Sequence, residues 1–356
     1  MTYVVAGGGT GGHVFPALAV ARELRRQRPQ ARILLIGTRG GLEAALAPAE
    51  GFEIQFVPSS GFAGMRLRKK ARALFDLGRA FFQARRILRR SEARSVLGVG
   101  GYASLPALLA AKLSGIPTMI QEQNSVPGLA NRVAGRLAQI RSVGFASAAD
   151  HFRKPCVWTG NPVREEFFRV APLSSRGAGR NVLLFGGSQG SRVLNQALRE
   201  AFPLLREAGV SVIAQTGERE LSAMRAALAG QEGIRLEGFL REIWNEFGWA
   251  DLVVSRAGAL TLSELAAAGR PSLLIPFAAS AGRHQEENAR QFADAGAARV
   301  LPEEELTGER LAAAINGLLV DRDALLRTAA AAKSLAQEGS AKRIAEIFLS
   351  LALEAA

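Results

Sequence analysis

Short runs of valine, leucine and isoleucine alternate with longer stretches of helical hydrophobic period, and the alternation continues through most of the chain. The short runs predict strands buried on both faces, and the periodic stretches predict helices that cover them. The first half reads as strand 2–6, helix 16–28, strand 32–36, helix 41–48, strand 54–57, helix 72–91, strand 95–99, helix 104–113, strand 117–121 and helix 128–137. Short pieces at 141–145 and 156–159 follow. The second half repeats the pattern, with strands near 181–185, 210–215, 234–236, 251–254, 272–275 and 298–301. Helices at 191–206, 218–229, 260–268 and 284–294 separate them, and three more close the chain at 307–319, 321–335 and 341–353. Such alternation predicts an α/β fold with parallel sheets, and ligands beyond the carboxyl ends of the strands.

Two turns stand out at equivalent places in the two halves. Gly7-Gly8-Gly9-Thr10-Gly11-Gly12-His13 follows the first strand, and Gly186-Gly187-Ser188-Gln189-Gly190-Ser191 follows the strand at 181–185. Glycine lets the backbone turn sharply and lets a ligand reach its N–H groups. The pair implies two Rossmann-like, doubly wound domains facing across a cleft, and so an enzyme. The polar stretch between Val170 and Arg180 reads as a linker. The last helix, set off by Gly339-Ser340, is placed to cross back onto the first domain.

A chain of 356 residues has room for two such cores. The single cysteine, Cys156, cannot form an internal disulfide, which fits a reducing compartment. With the first strand expected from Thr2, no secretory segment is expected ahead of it, and no run reaches the ~20 apolar residues of a membrane span. The net charge of +13 invites a nucleic-acid or anionic-membrane partner, although codon usage alone can favour arginine. Its distribution is more informative, because eleven basic and two acidic residues lie between Arg66 and Arg94.

The first turn matches the dinucleotide pattern G-x-G-x-x-G. The second strand, however, ends Ile36-Gly37-Thr38-Arg39 without the acidic residue a nicotinamide ribose requires, and Arg39 leaves only a phosphorylated cofactor open. No G-K-[ST] follows, which excludes a P-loop. A stronger nucleotide signal is the strand 251–254, the turn Ser255-Arg256-Ala257-Gly258 and a helix opening Ala259-Leu260-Thr261-Leu262-Ser263-Glu264. Its N-terminus suits a diphosphate, and Glu264 can accept two ribose hydroxyls or serve the helix end as a capping carboxylate. Beyond the next strand, Gln285 and Asn288 share a helix face as i and i+3 residues, which suits ligand contact. Asp321-Arg322-Asp323 has the spacing of a metal-binding D-x-D, but its place at a helix start makes it a cap.

Gly-Gly-Thr-Gly-Gly-His with Pro16, Gly100-Gly101-Tyr102, Glu122-Gln123-Asn124 and Gly160-Asn161-Pro162-Val163-Arg164 form a distinctive series. Gly186 to Gly190, Arg256 to Thr261 with Ser263-Glu264, and His284-Gln285 with Asn288 continue it. In this order they resemble the MurG family of bacterial peptidoglycan N-acetylglucosaminyltransferases, through nearly the whole chain. The resemblance implies the GT-B fold: an acceptor- and membrane-facing domain over 1–163, a UDP-GlcNAc-binding domain over 164–339, and a terminal helix over 340–356 packed back on the first. It implies inverting transfer of N-acetylglucosamine from UDP-GlcNAc to the C4 hydroxyl of MurNAc in lipid I, giving the β-1,4 link of lipid II. The substrate site would comprise Thr10, Gly11, Gly12, Asn124, Arg164, Ser188, Leu240, Ala259, Leu260, Thr261, Leu262, Ser263, Glu264, Gln285 and Asn288, with Tyr102 on the acceptor. Within it, Glu264 would hold the ribose, the helix start at Ala259 the diphosphate, and Phe239-Leu240 the uracil. Ser188 and Arg164 would face the phosphates or sugar, and Gln285 and Asn288 the sugar hydroxyls. The Ala278–Gly282 stretch is less polar than expected there.

No metal or other cofactor is expected, because UDP-GlcNAc is a co-substrate and the departing UDP needs only preorganised donors such as a helix end and Arg164. The acceptor hydroxyl needs a base. Of the histidines at 13, 151 and 284, His13 at the glycine turn is the candidate, with a structural or acceptor-positioning role as the alternative; Glu122 is the second candidate, read in preference as a buried loop organiser. At ~100° per residue, Arg68, Arg72, Arg79, Arg86 and Arg90 form one stripe of the basic helix, and Leu67, Ala71, Leu74, Gly78 and Phe81 an apolar one. Phe75 and Phe82 lie between them. Phe75, Arg79, Phe82 and Arg86 therefore suit anionic headgroups, and the polyprenyl acceptor that the resemblance implies would make these inner-leaflet phospholipids, with the protein peripheral on the cytoplasmic face of the bacterial inner membrane. Other cell-wall and division proteins are further candidate partners. The competing readings are another GT-B transferase, a UDP-GlcNAc 2-epimerase, a basic nucleic-acid-binding protein and an NADP-dependent oxidoreductase. The nucleic-acid reading leaves both glycine turns unused, and no nucleic-acid partner is expected.

Overall fold

The computed structural model describes residues 1–58 and 67–354, and for residues 67–74, 281, 353 and 354 the backbone alone. The chain forms two compact units, Met1–Val163 with Gly339–Ala356, and Arg164–Glu338.

In the first unit the order is β1 (Thr2–Ala6), α1 (Gly11–Gln27), β2 (Arg32–Gly37), α2 (Glu43–Ala49), β3 (Glu53–Phe56), α3 (Leu67–Arg90), β4 (Ala93–Gly98), α4 (Ser104–Leu113), β5 (Thr118–Glu122), α5 (Leu129–Leu137), β6 (Ile140–Val143) and β7 (Val157–Trp158). The strands make one sheet in the order β3-β2-β1-β4-β5-β6-β7, parallel throughout. Strand order reverses between β1 and β4, the kind of switch point beyond whose strand ends ligands bind in open α/β sheets. Alternation along β1 sends Tyr3 and Val5 to the core that holds α1, and Val4 and Ala6 to the core that holds α3 and α4.

The second unit runs α6 (Glu165–Phe168), β8 (Asn181–Phe185), α7 (Arg192–Glu207), β9 (Ser211–Gln215), α8 (Glu218–Ala227), β10 (Ile234–Glu237), α9 (Ile243–Trp249), β11 (Leu252–Ser255), α10 (Ala259–Ala268), β12 (Ser272–Leu274), α11 (His284–Asp294), β13 (Ala298–Val300), α12 (Gly308–Leu319) and α13 (Arg322–Ser334). Its parallel sheet is ordered β10-β9-β8-β11-β12-β13. The reversal falls between β8 and β11, the strands that carry the second glycine turn and the α10 turn. α14 (Ser340–Glu354) returns to the first unit and packs on α1, with the Phe348 ring edge-on to Tyr3 at 6.0 Å.

The stretch 170–180 is not an interdomain linker, because it lies inside the second unit. Leu173 is buried in that unit's core, and Arg322 holds the Leu173 and Arg176 carbonyls at 2.8 and 3.0 Å. Composition marked a polar segment, but one leucine and one arginine anchor it.

Candidate active site

In the first unit, β1 ends at Ala6 and the chain passes through Gly7 to Gly9 before α1 begins at Gly11. Gly9 has φ +97°, a conformation that requires glycine. The neighbouring turn after β4 approaches so closely that a Cβ on Gly101 would lie 2.2 Å from the Gly8 carbonyl oxygen. Thr10 is the N-cap of α1, and its Oγ1 lies 3.3 Å from His13 Nδ1 rather than on a backbone amide. The His13 ring turns its other nitrogen toward Gly100, where an added Cβ would sit 2.8 Å from Nε2. Thr10, Gly11, Gly12 and His13 lie together at the start of α1, all at least partly open to solvent. Tyr102, on the adjoining turn, is 52% exposed.

Glu122 is buried at the end of β5 and takes four hydrogen bonds, from Asn124 N (2.8 Å), Asn124 Nδ2 (3.1 Å), Gly128 N (3.2 Å) and Asn131 Nδ2 (2.9 Å). Burial raises its carboxyl above the usual range, while these donors pull it back. With both oxygens engaged inside the protein, Glu122 ties the Asn124, Gly128 and Asn131 segments together, as the loop-organiser reading expects. What it organises includes Asn124, which remains half-buried.

In the second unit, β11 runs through Ser255 to Gly258 into α10. Gly258 is the N-cap and brings no side chain, so the first amides of α10 carry no side-chain cap. Ala259 is nearly buried, Leu260, Thr261 and Ser263 are partly open, and Ser263 Oγ donates to the Ala259 carbonyl at 2.9 Å. Leu262 points the other way and is fully buried. Glu264 does not cap the helix. Its carboxylate lies 3.7 Å from the Arg164 guanidinium, and burial raises it to about 7 against the pull of that arginine. Arg164 is itself held over the rings of Trp244 (4.5 Å) and Phe167 (5.2 Å).

Ser188 sits half-buried in the second glycine turn. Gln215, at the end of β9, ties that turn to the next loop: its Nε2 donates to the Gly187 carbonyl at 2.9 Å and its Oε1 accepts from Leu240 N at 2.8 Å. Leu240 is nearly buried, whereas Phe239 beside it is exposed. Arg256 joins three further segments, donating to Ser191 Oγ (2.9 Å) and the Ile275 carbonyl (3.2 Å) and pairing with Glu303. Gln285 Oε1 accepts from Phe277 N at 3.0 Å. Asn288, expected beside it as a reader of sugar hydroxyls, is fully buried and donates to the Ala257 carbonyl at 3.1 Å, so it supports the α10 turn from behind. Helical spacing puts Gln285 and Asn288 on neighbouring positions, but packing against α10 turns only the first outward.

Neither Gln215 nor Arg256 was singled out as a site residue, although Arg256 lies in a motif that drew attention. A lone glutamine at a strand end carries no spacing signal. Asp321 is the N-cap of α13, its Oδ1 accepting from Ala324 N at 2.9 Å. Among the described residues no three His, Cys, Asp or Glu side chains gather as metal ligands.

α3 is continuous through Gly78. Its buried face runs through Ala80, Ala84 and Leu88, so the apolar stripe expected through Gly78 and Phe81 lies at the flank of the true core face. The side chains of Leu67, Arg68, Ala71, Arg72 and Leu74 lie outside the described residues. Phe75 and Phe82 are 66% and 68% exposed, with Arg79 and Arg86 exposed beside them. A recess of about 640 Å³ next to Phe82 is bounded by Arg86, Arg90 and the Arg32–Glu53 pair. No helix among the described residues is long and apolar enough to cross a membrane.

The glycosyltransferase family 28 N-terminal domain matches residues 3–140, and the C-terminal domain of the same family matches residues 181–346. The chain is 42% identical, over 99% of its length and 93% of the relative's, to a protein of Anaeromyxobacter dehalogenans. That relative is named UDP-N-acetylglucosamine–N-acetylmuramyl-(pentapeptide) pyrophosphoryl-undecaprenol N-acetylglucosamine transferase. A protein of the same name from Syntrophotalea carbinolica is also 42% identical, over 98% of both chains. The crystal structure of MurG from Acinetobacter baumannii superposes with a TM-score of 0.81 at 29% identity, covering 98% of this chain and 99% of that one.

Proposed function

Since the chain belongs to the MurG family of glycosyltransferase family 28, with the GT-B fold, we infer that it transfers N-acetylglucosamine from UDP-GlcNAc to lipid I. The observation that carries this reading is near-full-length identity of 42% to relatives that bear that enzyme's name.

The second unit takes the donor in this reading. The uncapped start of α10 offers amides and a positive dipole end to the diphosphate, and Glu264 accepts the ribose hydroxyls. Leu240 and Phe239 border the uracil, while Gln215 keeps their loop in step with the phosphate-facing turn at Ser188. Gln285 faces the sugar. Arg164, steadied by two aromatic rings, stabilises the charge that grows on the departing UDP.

The first unit takes the acceptor, with Thr10 to His13 and Tyr102 around its diphosphate and sugar. As the C4 oxygen of MurNAc attacks the anomeric carbon, the bond to UDP breaks, the configuration inverts and the hydroxyl proton passes to His13. The exposed rings and arginines of α3 hold the protein peripherally on an anionic membrane surface, the cytoplasmic face of the inner membrane, where a polyprenyl acceptor resides.

The test is UDP release from UDP-GlcNAc by the purified protein, with and without a short-chain lipid I analogue, in EDTA. Acceptor-dependent release supports the transferase and its independence of metal. Tight UDP binding without such release overturns the choice of acceptor.

A further inference from the structure

One buried carboxylate near the first glycine turn takes no part in the chemistry above. Glu43 opens α2, is 1% exposed, and directs both oxygens into the turn. Oε2 accepts from Gly9 N at 2.8 Å, and Oε1 accepts from Thr38 N at 2.8 Å and Thr38 Oγ1 at 3.0 Å. The Gly9 peptide is gripped at its other end too, because Leu42 N donates to the Gly9 carbonyl at 3.5 Å. Space for the carboxylate is made by three glycines from three segments. A Cβ would come within 2.1 Å of Glu43 Oε1 at Gly8, 2.5 Å of its Cγ at Gly37, and 2.1 Å of its Oε2 at Gly41.

We propose that Glu43 is the positioning residue of the first glycine turn: it clamps Gly9 and so sets where Thr10 to His13 meet the acceptor. This rests on the acceptor reading above. Gly9 is held by a charged acceptor on its amide and by a backbone donor on its carbonyl, so the start of α1 has a defined place before any ligand arrives. Preorganisation of this kind lowers the cost of aligning the acceptor hydroxyl with its base.

The test compares full-length wild-type protein with Glu43→Gln and Gly41→Ala. Glutamine keeps the volume but turns an N–H₂ toward one of the amides that Glu43 now satisfies. Gly41 has no positive φ, so alanine there acts by displacing the carboxylate and not by straining the backbone. Both variants are expected to speed amide hydrogen exchange at Gly9 by at least ~10-fold without substrate, by opening the clamp locally. Both are expected to lower kcat/KM for a lipid I analogue by roughly 10–100-fold while KM for UDP-GlcNAc stays within about twofold. Unchanged exchange at Gly9 overturns the proposal, as does faster exchange with unchanged acceptor kcat/KM. A donor KM that worsens in step with acceptor kcat/KM also overturns it, because it marks a general scaffold role. If the wild-type protein turns over no acceptor, the acceptor reading fails on its own, and exchange at Gly9 still decides whether Glu43 clamps the turn.

Discussion

Arg164 and Glu264 face each other at 3.7 Å beside the uncapped start of α10, close enough to attract but too far for a tight bidentate pair. Burial therefore outweighs the arginine and lifts the Glu264 carboxyl to about 7. A group of this kind is poised for a ligand that supplies the missing hydrogen bonds.

Donor affinity should accordingly depend on pH. Ribose hydroxyls donate to the ionised carboxylate, so UDP binding should tighten as pH rises through about 7 and level off above about 8. Glu264→Gln should flatten that profile and weaken UDP by roughly 10–100-fold, the worth of hydrogen bonds to a charged group. Isothermal titration at several pH values measures both, and a wild-type profile that is flat across neutrality would contradict them.

Stability of the unliganded protein should move the opposite way. The folded carboxyl sits above its ordinary 4.5, so its contribution is fully present below that value and is lost as pH rises through about 7. Near pH 8 the ionised form is a burden, and Glu264→Gln should stabilise the unliganded protein by on the order of 1–2 kcal/mol, allowing for a partly open side chain. Thermal melts of the two proteins should diverge at alkaline pH and converge in acid.

His13→Ala should lower kcat by ~10²–10⁴-fold, the usual worth of a general base, and leave UDP affinity in place. A variant with intact kcat and a raised KM for the acceptor would instead make His13 a binding residue. Steady-state kinetics in both substrates separates the two.

Replacing Phe75 and Phe82 together by serine should weaken binding to vesicles containing anionic phospholipid, and Arg79→Ala with Arg86→Ala should cost about 1 kcal/mol per charge. Salt should abolish the arginine part and spare the aromatic part. Flotation at two salt concentrations reads this directly, while UDP binding serves as the control for folding.

How much of this was legible beforehand varies with the range of the interaction. The turns after β1 and β8 announce themselves because positions such as Gly9 tolerate no other residue. α3 was readable from its arginines and rings, although its core face was displaced, since packing of Ala80, Ala84 and Leu88 on α4 sets the rotation and hydrophobic count alone does not. Glu43 was hidden because the Gly9 amide and Gly8 lie more than thirty residues away, and only the pairing of β1 with β2 brings them to it. Asn288 was read as facing outward beside Gln285, but burial turns it onto the Ala257 carbonyl, while Glu122 takes the loop-organising place already weighed for it. Leu173 shows the reverse error, a buried anchor inside a stretch whose composition reads as linker.

The return of α14 to the first unit has a consequence for the order in which the protein is made. Residues 164–338 emerge from the ribosome as a contiguous piece and complete their own core. The unit translated first still lacks Ile344, Phe348 and Leu351 from the face of α1 at that moment. Domains commonly fold from the N-terminus onward as they are synthesised. In the earlier-made half, the side of Tyr3 that meets Phe348 gains its cover only when the last helix arrives.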